Sequence, residues 1–522
     1  MHWFKAELLA TAVVWALTAA STPDSLEYDI PADIDTGFAV NTAPVSLPDH
    51  LRLPEFWRFA SRLSRKAEIY YPDTEGFRNY SQRWSNLEKP IVNITVLPAT
   101  ERDVIETVRF ANKVKLPFLA YNGRHGSITT LGRMDEGIAI NLRKLNSVKI
   151  APNGQTARVG GGINSKVLID RLWAAGKQAV TGTCECVSYL GPALGGGHGW
   201  LQGRYGLIAD QFVSMNIVLA DGSLKTINQN WDLWWAMKGA GHNFGIVTSV
   251  QIKIFPRVHT TWAIETLMFT GDKVAALYQA ANDHLLKNGT QPIDLINWSY
   301  WFNLPPVDPA GPVVEFYIIQ EGVNVVNPNY TAPFHALGPI SITPSSGSYL
   351  DVSRWVGIAL DGPPCQKVGA ANPRFPLYLS QYNATAMAEL YDAFAAATNA
   401  SSPFSNSLFM FEGYSNQGVQ AVNPASTAFA WRNDHLLTAP LIQYTPGSAA
   451  LDQQAAAVGN QLRDILHRGS GRSQKNTYVN YAYGDETTRE WYGHEQWRQD
   501  RLRALKRKYD PRGSFSFYAP AA

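Results

Sequence analysis

Three observations predict an α+β protein built as two lobes. At 522 residues the chain exceeds the roughly 250–300 that one hydrophobic core supports. Residues 86–258 alternate β-branched strand patterns with amphipathic helix patterns and are punctuated by glycine loops. Beyond residue 259 the composition shifts to Pro- and Asn-rich connections between long strand candidates, and the earlier style returns in 471–522.

The elements follow in order. Residues 1–20, MHWFKAELLATAVVWALTAA, place a lysine before an apolar run ending in small residues, so a cleaved secretory signal is expected. Seven Asn-x-Ser/Thr sequons, at Asn79, Asn93, Asn288, Asn297, Asn329, Asn383 and Asn399, suit a secreted, N-glycosylated chain. Residues 21–85 read as an irregular lead-in with a short helix or two. PIVNITVLP is a strand, and ATERDVIETVRFANKVKLP a helix with Thr100 as N-cap, Asp103 three residues on and Pro117 as its limit. FLAYNGRHGSITTLG is a buried strand entering a glycine loop. IAINL and TARVGGG are strands, SKVLIDRLWAAGK a helix stopped at Gly176, and VSMNIVLADGSLKTI a hairpin around Asp221-Gly222. DLWWAMKGAGHNFGIVTSVQIKIFP reads helix, glycine loop, strand. In 259–470, VVEFYIIQEG is a strand and ATAMAELYDAFAAAT a helix. The basic helix EQWRQDRLRALKRKY ends at Asp510-Pro511, and its charges read as a solvated face.

Lys and Arg total 45 against 43 Asp and Glu, which gives no electrostatic reason to expect nucleic acid or an anionic membrane. No segment after the signal approaches the roughly 20 apolar residues of a membrane span. The 16 Trp, 23 Tyr and 22 Phe suit both an aromatic core and a pocket for a ring-bearing ligand. Cys184, Cys186 and Cys365 cannot all pair, a Cys-x-Cys disulfide would be strained, and no partner set at zinc-ligand spacing accompanies them. No metal is expected.

Glycine loops at 123–126, 195–199 and 239–245 let backbone N–H groups approach an anion or a flat ring. None fits the G-x-G-x-x-G dinucleotide fingerprint, and no P-loop occurs. Taken in order, however, the motifs resemble the berberine bridge enzyme-like branch of the vanillyl-alcohol oxidase (PCMH-type) flavoproteins. LAYNGRHGS resembles that family's Arg-Ser-Gly-Gly-His-Ser loop; Tyr121 stands for its arginine and Arg124 for the glycine before the histidine. TGTCECVSYLGPALGGGHGWLQGRYGLIAD resembles its Gly-x-Cys loop with the following Gly-Gly-Gly-x-Gly and Tyr-Gly-Leu-x-x-Asp. DLWWAMKGAGHNFGIVT and the tail, with Asn480-Tyr481 and Lys508-Tyr509-Asp510-Pro511, resemble its remaining signatures.

The resemblance implies an FAD-binding domain at 86–258, a substrate domain over an antiparallel sheet at 259–470 and a C-terminal segment, 471–522, returning to the FAD domain. It implies FAD bonded through its 8α carbon to His125 and through C6 to Cys184, with Cys186 left as buried packing. The cofactor would also be held by Asn122, Gly123, Arg124, Gly126, Ser127, Gly182, Thr183, Gly195, Gly196, Gly197, Gly199, Tyr205, Gly206, Asp210, Gly245, Ile246, Val247 and Asn480. Tyr481 would be the base that assists hydride transfer, whereas Glu412, His435 and His198 read as structural. A monomeric secreted oxidase follows, acting on an alcohol, amine or phenolic intermediate of secondary metabolism with O2 as acceptor. An oligosaccharide oxidase, or a flavin-bearing binding protein with little turnover, are the alternatives.

Overall fold

The computed structural model describes residues 54–521; the signal expected at 1–20 and the lead-in up to residue 53 lie outside the described residues. The lead-in that is described carries helices Pro54–Ala60 and Glu75–Ser81. The first lobe stacks two sheets. One has four strands in the order Glu68–Tyr70, Val92–Leu97, Gly137–Asn141, Phe118–Tyr121, with the last three parallel. The other is a five-stranded antiparallel sheet ordered Val148–Ile150, Thr156–Gly160, Ile246–Lys253, Phe212–Val218, Leu224–Ile227. Local chemistry sets these elements. Helix Glu101–Val114 starts on a capping box in which Thr100 and Asp103 satisfy each other's backbone N–H groups, and it buries Val104 and Val108. The hairpin turns at Gly222, whose φ of +77° suits glycine.

The second lobe is a seven-stranded antiparallel sheet, ordered Ser341–Gly347, Trp262–Phe269, Pro312–Glu321, Leu295–Asn303, Leu408–Gly413, Leu436–Leu441, Leu377–Leu379. Successive residues alternate faces. Leu267, Phe316, Phe409 and Phe411 pack with helices Val274–His284, Ala384–Ala397 and Ala449–Ser470. Ile264, Trp298, Tyr300, Tyr317 and Met410 instead join the core of the first lobe, so the sheet roofs that lobe with an aromatic face. The tail contributes Val479, Ala482, Tyr492 and Leu502 to the same core.

Three expectations change. Helix Gln496–Tyr509 is only partly solvated: Arg498 bonds the carbonyls of Thr427 and Pro424, and Lys506 those of Asn243 and Phe515 and the Asp510 carboxylate. The helix therefore ties the tail to the first lobe through Lys506 and to the 424–427 loop of the second through Arg498. Asn297 is buried in the large sheet and donates to the Tyr317 carbonyl, which removes it as a glycan acceptor in the folded chain. Cys186 is not spare packing; it is bonded to Cys365.

A buried ion pair also joins the lobes. Arg432 meets Asp210 in a two-pronged contact at 3.0 and 2.8 Å and further bonds Thr427 and the Val419 carbonyl. Removing the cation strands a buried carboxylate, so Arg432→Met is expected to cost about 3–5 kcal/mol of stability, measured by urea unfolding. A loss below about 1 kcal/mol would place this pair among the weak ones.

Candidate active site

Two loops form the centre of the site. The histidine loop leaves strand Phe118–Tyr121, and Asn122 anchors it by donating to the carbonyls of Gly162 and Ile163 at 2.6 and 3.1 Å. The cysteine loop, 182–187, lies against it: a β-carbon on Gly123 would sit 3.1 Å from the Cys186 carbonyl, so only glycine allows this approach without displacement. Arg124 takes φ +59°, the left-handed region natural to the glycine that the related motif carries there. Its side chain turns to the Asn79 carbonyl.

His125 stacks on Trp84 at 4.3 Å, and its Nε2 lies 2.7 Å from the Pro364 carbonyl. Burial, reinforced by the Arg374 guanidinium, pushes the imidazole down to about 3, so it is neutral at physiological pH. Cys184 is the one free thiol, pushed up to about 12 by burial and hence protonated. His125, Cys184 and Cys186 place their donor atoms within 4.8 Å of one another. With Cys186 consumed in the disulfide, that trio offers a metal two ligands.

On the roof side, Tyr481 donates to Glu412 at 2.8 Å and Tyr414 donates to its second oxygen at 2.7 Å. Glu412 is 1 % exposed, and burial raises its pKa above the ordinary glutamate value despite both phenols and Arg374. Arg374 lies over the rings of both Trp84 and Tyr481, at 4.5 and 4.4 Å, joining the histidine loop to the tyrosine. Tyr300 is buried on the roof face against Trp298 and Tyr317, and burial, with the Glu412 charge, raises its pKa well above the ordinary tyrosine value. Sequence reasoning passed over Trp84, Tyr300, Arg374 and Tyr414, and set Glu412 aside. The available signal for Glu412 was a lone acid in the apolar strand LFMFEG.

Around this centre, Gly126 faces the Tyr518 ring, Ser127 is buried, and Thr183 accepts from Ser353. Gly195 packs on Asn480, where a β-carbon would fall 2.3 Å from Oδ1, while Asn480 donates to the Pro192 carbonyl. Gly196, Gly197 and Gly199 are buried behind it, and a β-carbon on Gly182 would make ordinary contact with the Ser165 hydroxyl at 3.5 Å. Gly245, Ile246 and Val247 are buried at the start of their strand. Tyr205, Gly206 and Asp210 stand apart: Tyr205 stacks on Phe255, Gly206 abuts the Gly418 carbonyl, and Asp210 is taken by Arg432. Gly206 and Asp210 lie at the joint between the lobes, while Tyr205 packs within the first lobe. His198 spends both ring nitrogens on Gln202 and Tyr378, and His435 bonds none of the site residues.

The residues fit a flavin dinucleotide. Two nucleophilic atoms lie close enough to meet one ring edge, and the Ser165 and Tyr189 hydroxyls are buried without partners, as donors awaiting a polar ligand would be. Comparison agrees. A family profile described as FAD binding domain matches residues 92–228, and one described as berberine and berberine like matches 477–520. The chain is 56% identical to the FAD-linked oxidoreductase chyH of Penicillium rubens, across 93% of this chain and 98% of that one. It is 54% identical to the FAD-linked oxidoreductase chry5 of Gibberella zeae, across 90% and 95%. Among solved structures, glucooligosaccharide oxidase from Acremonium strictum, described with a 6-S-cysteinyl, 8α-N1-histidyl FAD, superposes with a TM-score of 0.75 at 17% identity, covering 90% of this chain and 98% of that one. At that identity the likeness carries the fold alone. No helix among the described residues is long and apolar enough to cross a membrane.

Proposed function

The chain belongs to the berberine bridge enzyme-like FAD-linked oxidoreductases of the vanillyl-alcohol oxidase family, and from that premise we propose that it oxidises an alcohol, amine or phenol at a carbon bearing the heteroatom. The Tyr481–Glu412–Tyr414 chain carries this reading, because a removable heteroatom proton is what such a chain is suited to accept. FAD, when bound, supplies the two-electron sink for the hydride. The protein does the rest. Tyr481 Oη takes the substrate proton while its own passes along the 2.8 Å hydrogen bond to Glu412. Burial makes that carboxylate a stronger proton acceptor than a solvated one, and Tyr414 steadies it while charged. Arg374 over the Tyr481 ring favours the phenolate in passing.

The flavin is held covalently at His125 and Cys184. A neutral imidazole and a thiol within one ring edge of each other support that attachment. The protein is monomeric and secreted, and O2 is the acceptor, giving H2O2. A disulfide fits an oxidising compartment, and Asn79, Asn329, Asn383 and Asn399 are exposed for glycans. Purified protein assayed for H2O2 against aromatic alcohols, amines, phenols and oligosaccharides tests the substrate class. Turnover of an aromatic alcohol, amine or phenol is expected; turnover of cellobiose with those compounds inert would replace this reading by a carbohydrate oxidase.

A further inference from the structure

The disulfide has a use that packing does not explain. Cys186 sits in the cysteine loop of the first lobe and Cys365 in a loop of the second, 179 residues later. Hydrogen bonds pin the chain on either side of Cys365. Upstream, Glu185 N–H donates to the Ile358 carbonyl and Leu360 N–H to the Glu185 carboxylate. Downstream, Gln82 donates to the Lys367 carbonyl and Asn86 to the carbonyls of Gly369 and Ala370. The strap between, residues 361–366, crosses His125 and contains two prolines. Its covalent tie to the cysteine loop is Cys365.

We propose that the Cys186–Cys365 disulfide positions His125 for flavin attachment. It clamps the strap so that the Pro364 carbonyl meets Nε2 at 2.7 Å. A carbonyl oxygen only accepts, so Nε2 must carry the proton and Nδ1 keeps its lone pair. This rests on the attachment reading above. In the step it serves, Nδ1 bonds to the 8α carbon, one methyl C–H breaks and releases its proton, and the alkylated imidazole gives up its Nε2 proton, both protons passing to the two-electron-reduced ring while the Pro364 carbonyl only orients the imidazole. The electron pair and two protons are left on the reduced ring, and O2 removes them as H2O2. The same bond occupies Cys186, whose sulfur lies 3.6 Å from Cys184 and would otherwise be a rival thiol.

The test uses Cys184→Ala, in which His125 alone retains flavin after acid precipitation, and compares it with the same chain also carrying Cys186→Ser and Cys365→Ser. Total flavin is read from the native spectrum, acid-stable flavin after precipitation, and the state of the His125 peptide by mass spectrometry. Acid-stable flavin is expected to fall about tenfold in the triple variant, at unchanged total flavin, because the orienting partner is loosened. Equal acid-stable fractions overturn the strap's role. Complete loss in C184A itself instead removes attachment at His125, and the strap's role with it. If the triple variant holds no flavin, C184A apoprotein from riboflavin-limited cells decides: FAD added with dithiothreitol should couple about tenfold more slowly than without it. Equal rates overturn the proposal.

Discussion

Replacing Tyr481 by phenylalanine is expected to lower kcat by about 10²–10⁴-fold, the usual worth of a positioned acid–base group, while KM and flavin content stay close to wild type. The substitution keeps the ring under Arg374 and removes only the oxygen that reaches Glu412. Glu412→Gln should show the same loss with a different signature. Glu412 must be ionised to accept the proton, and burial raises its pKa above 4.5. Wild-type kcat is therefore held at higher pH and lost as pH falls through that raised value, a limb that E412Q should lack. A Y481F enzyme retaining more than about a tenth of wild-type kcat would end the relay.

The second large effect concerns the cofactor. The double change His125→Ala and Cys184→Ala is expected to abolish acid-stable flavin, whereas each single change leaves a fraction bound through the other residue. The linkages are chemically independent, one to nitrogen and one to sulfur, so neither loss should erase the other. Acid precipitation followed by the flavin spectrum of the pellet measures this directly. A wild-type pellet without flavin would dismiss both assignments.

Much of the first lobe was legible because its signals are local. Thr100 with Asp103, Gly176, and Asp221-Gly222 each declare a boundary through the backbone conformation or cap that they supply within a few residues. The histidine and cysteine loops were likewise readable as motifs, since glycine is demanded where two backbones meet. The roof was not. Alternation along LFMFEG gives two faces, but nothing in the strand tells which one meets a second lobe; that depends on how the seven strands lie over the first lobe. Arg374 is an ordinary residue until packing brings it over Trp84 and Tyr481.

The sequence by itself determined the local elements, because short-range sterics and capping fix those, and its resemblance to the family singled out the histidine loop, the cysteine loop and the tyrosine of the tail. Only the tertiary structure decided the partners of the charges and sulfurs. Asp210 with Arg432, Arg498 and Lys506 with buried carbonyls, Glu412 with Tyr481, and Cys186 with Cys365 are all contacts between segments remote in the chain. Such pairings follow from which groups are desolvated together, and desolvation is a property of the assembled lobes rather than of any stretch of residues.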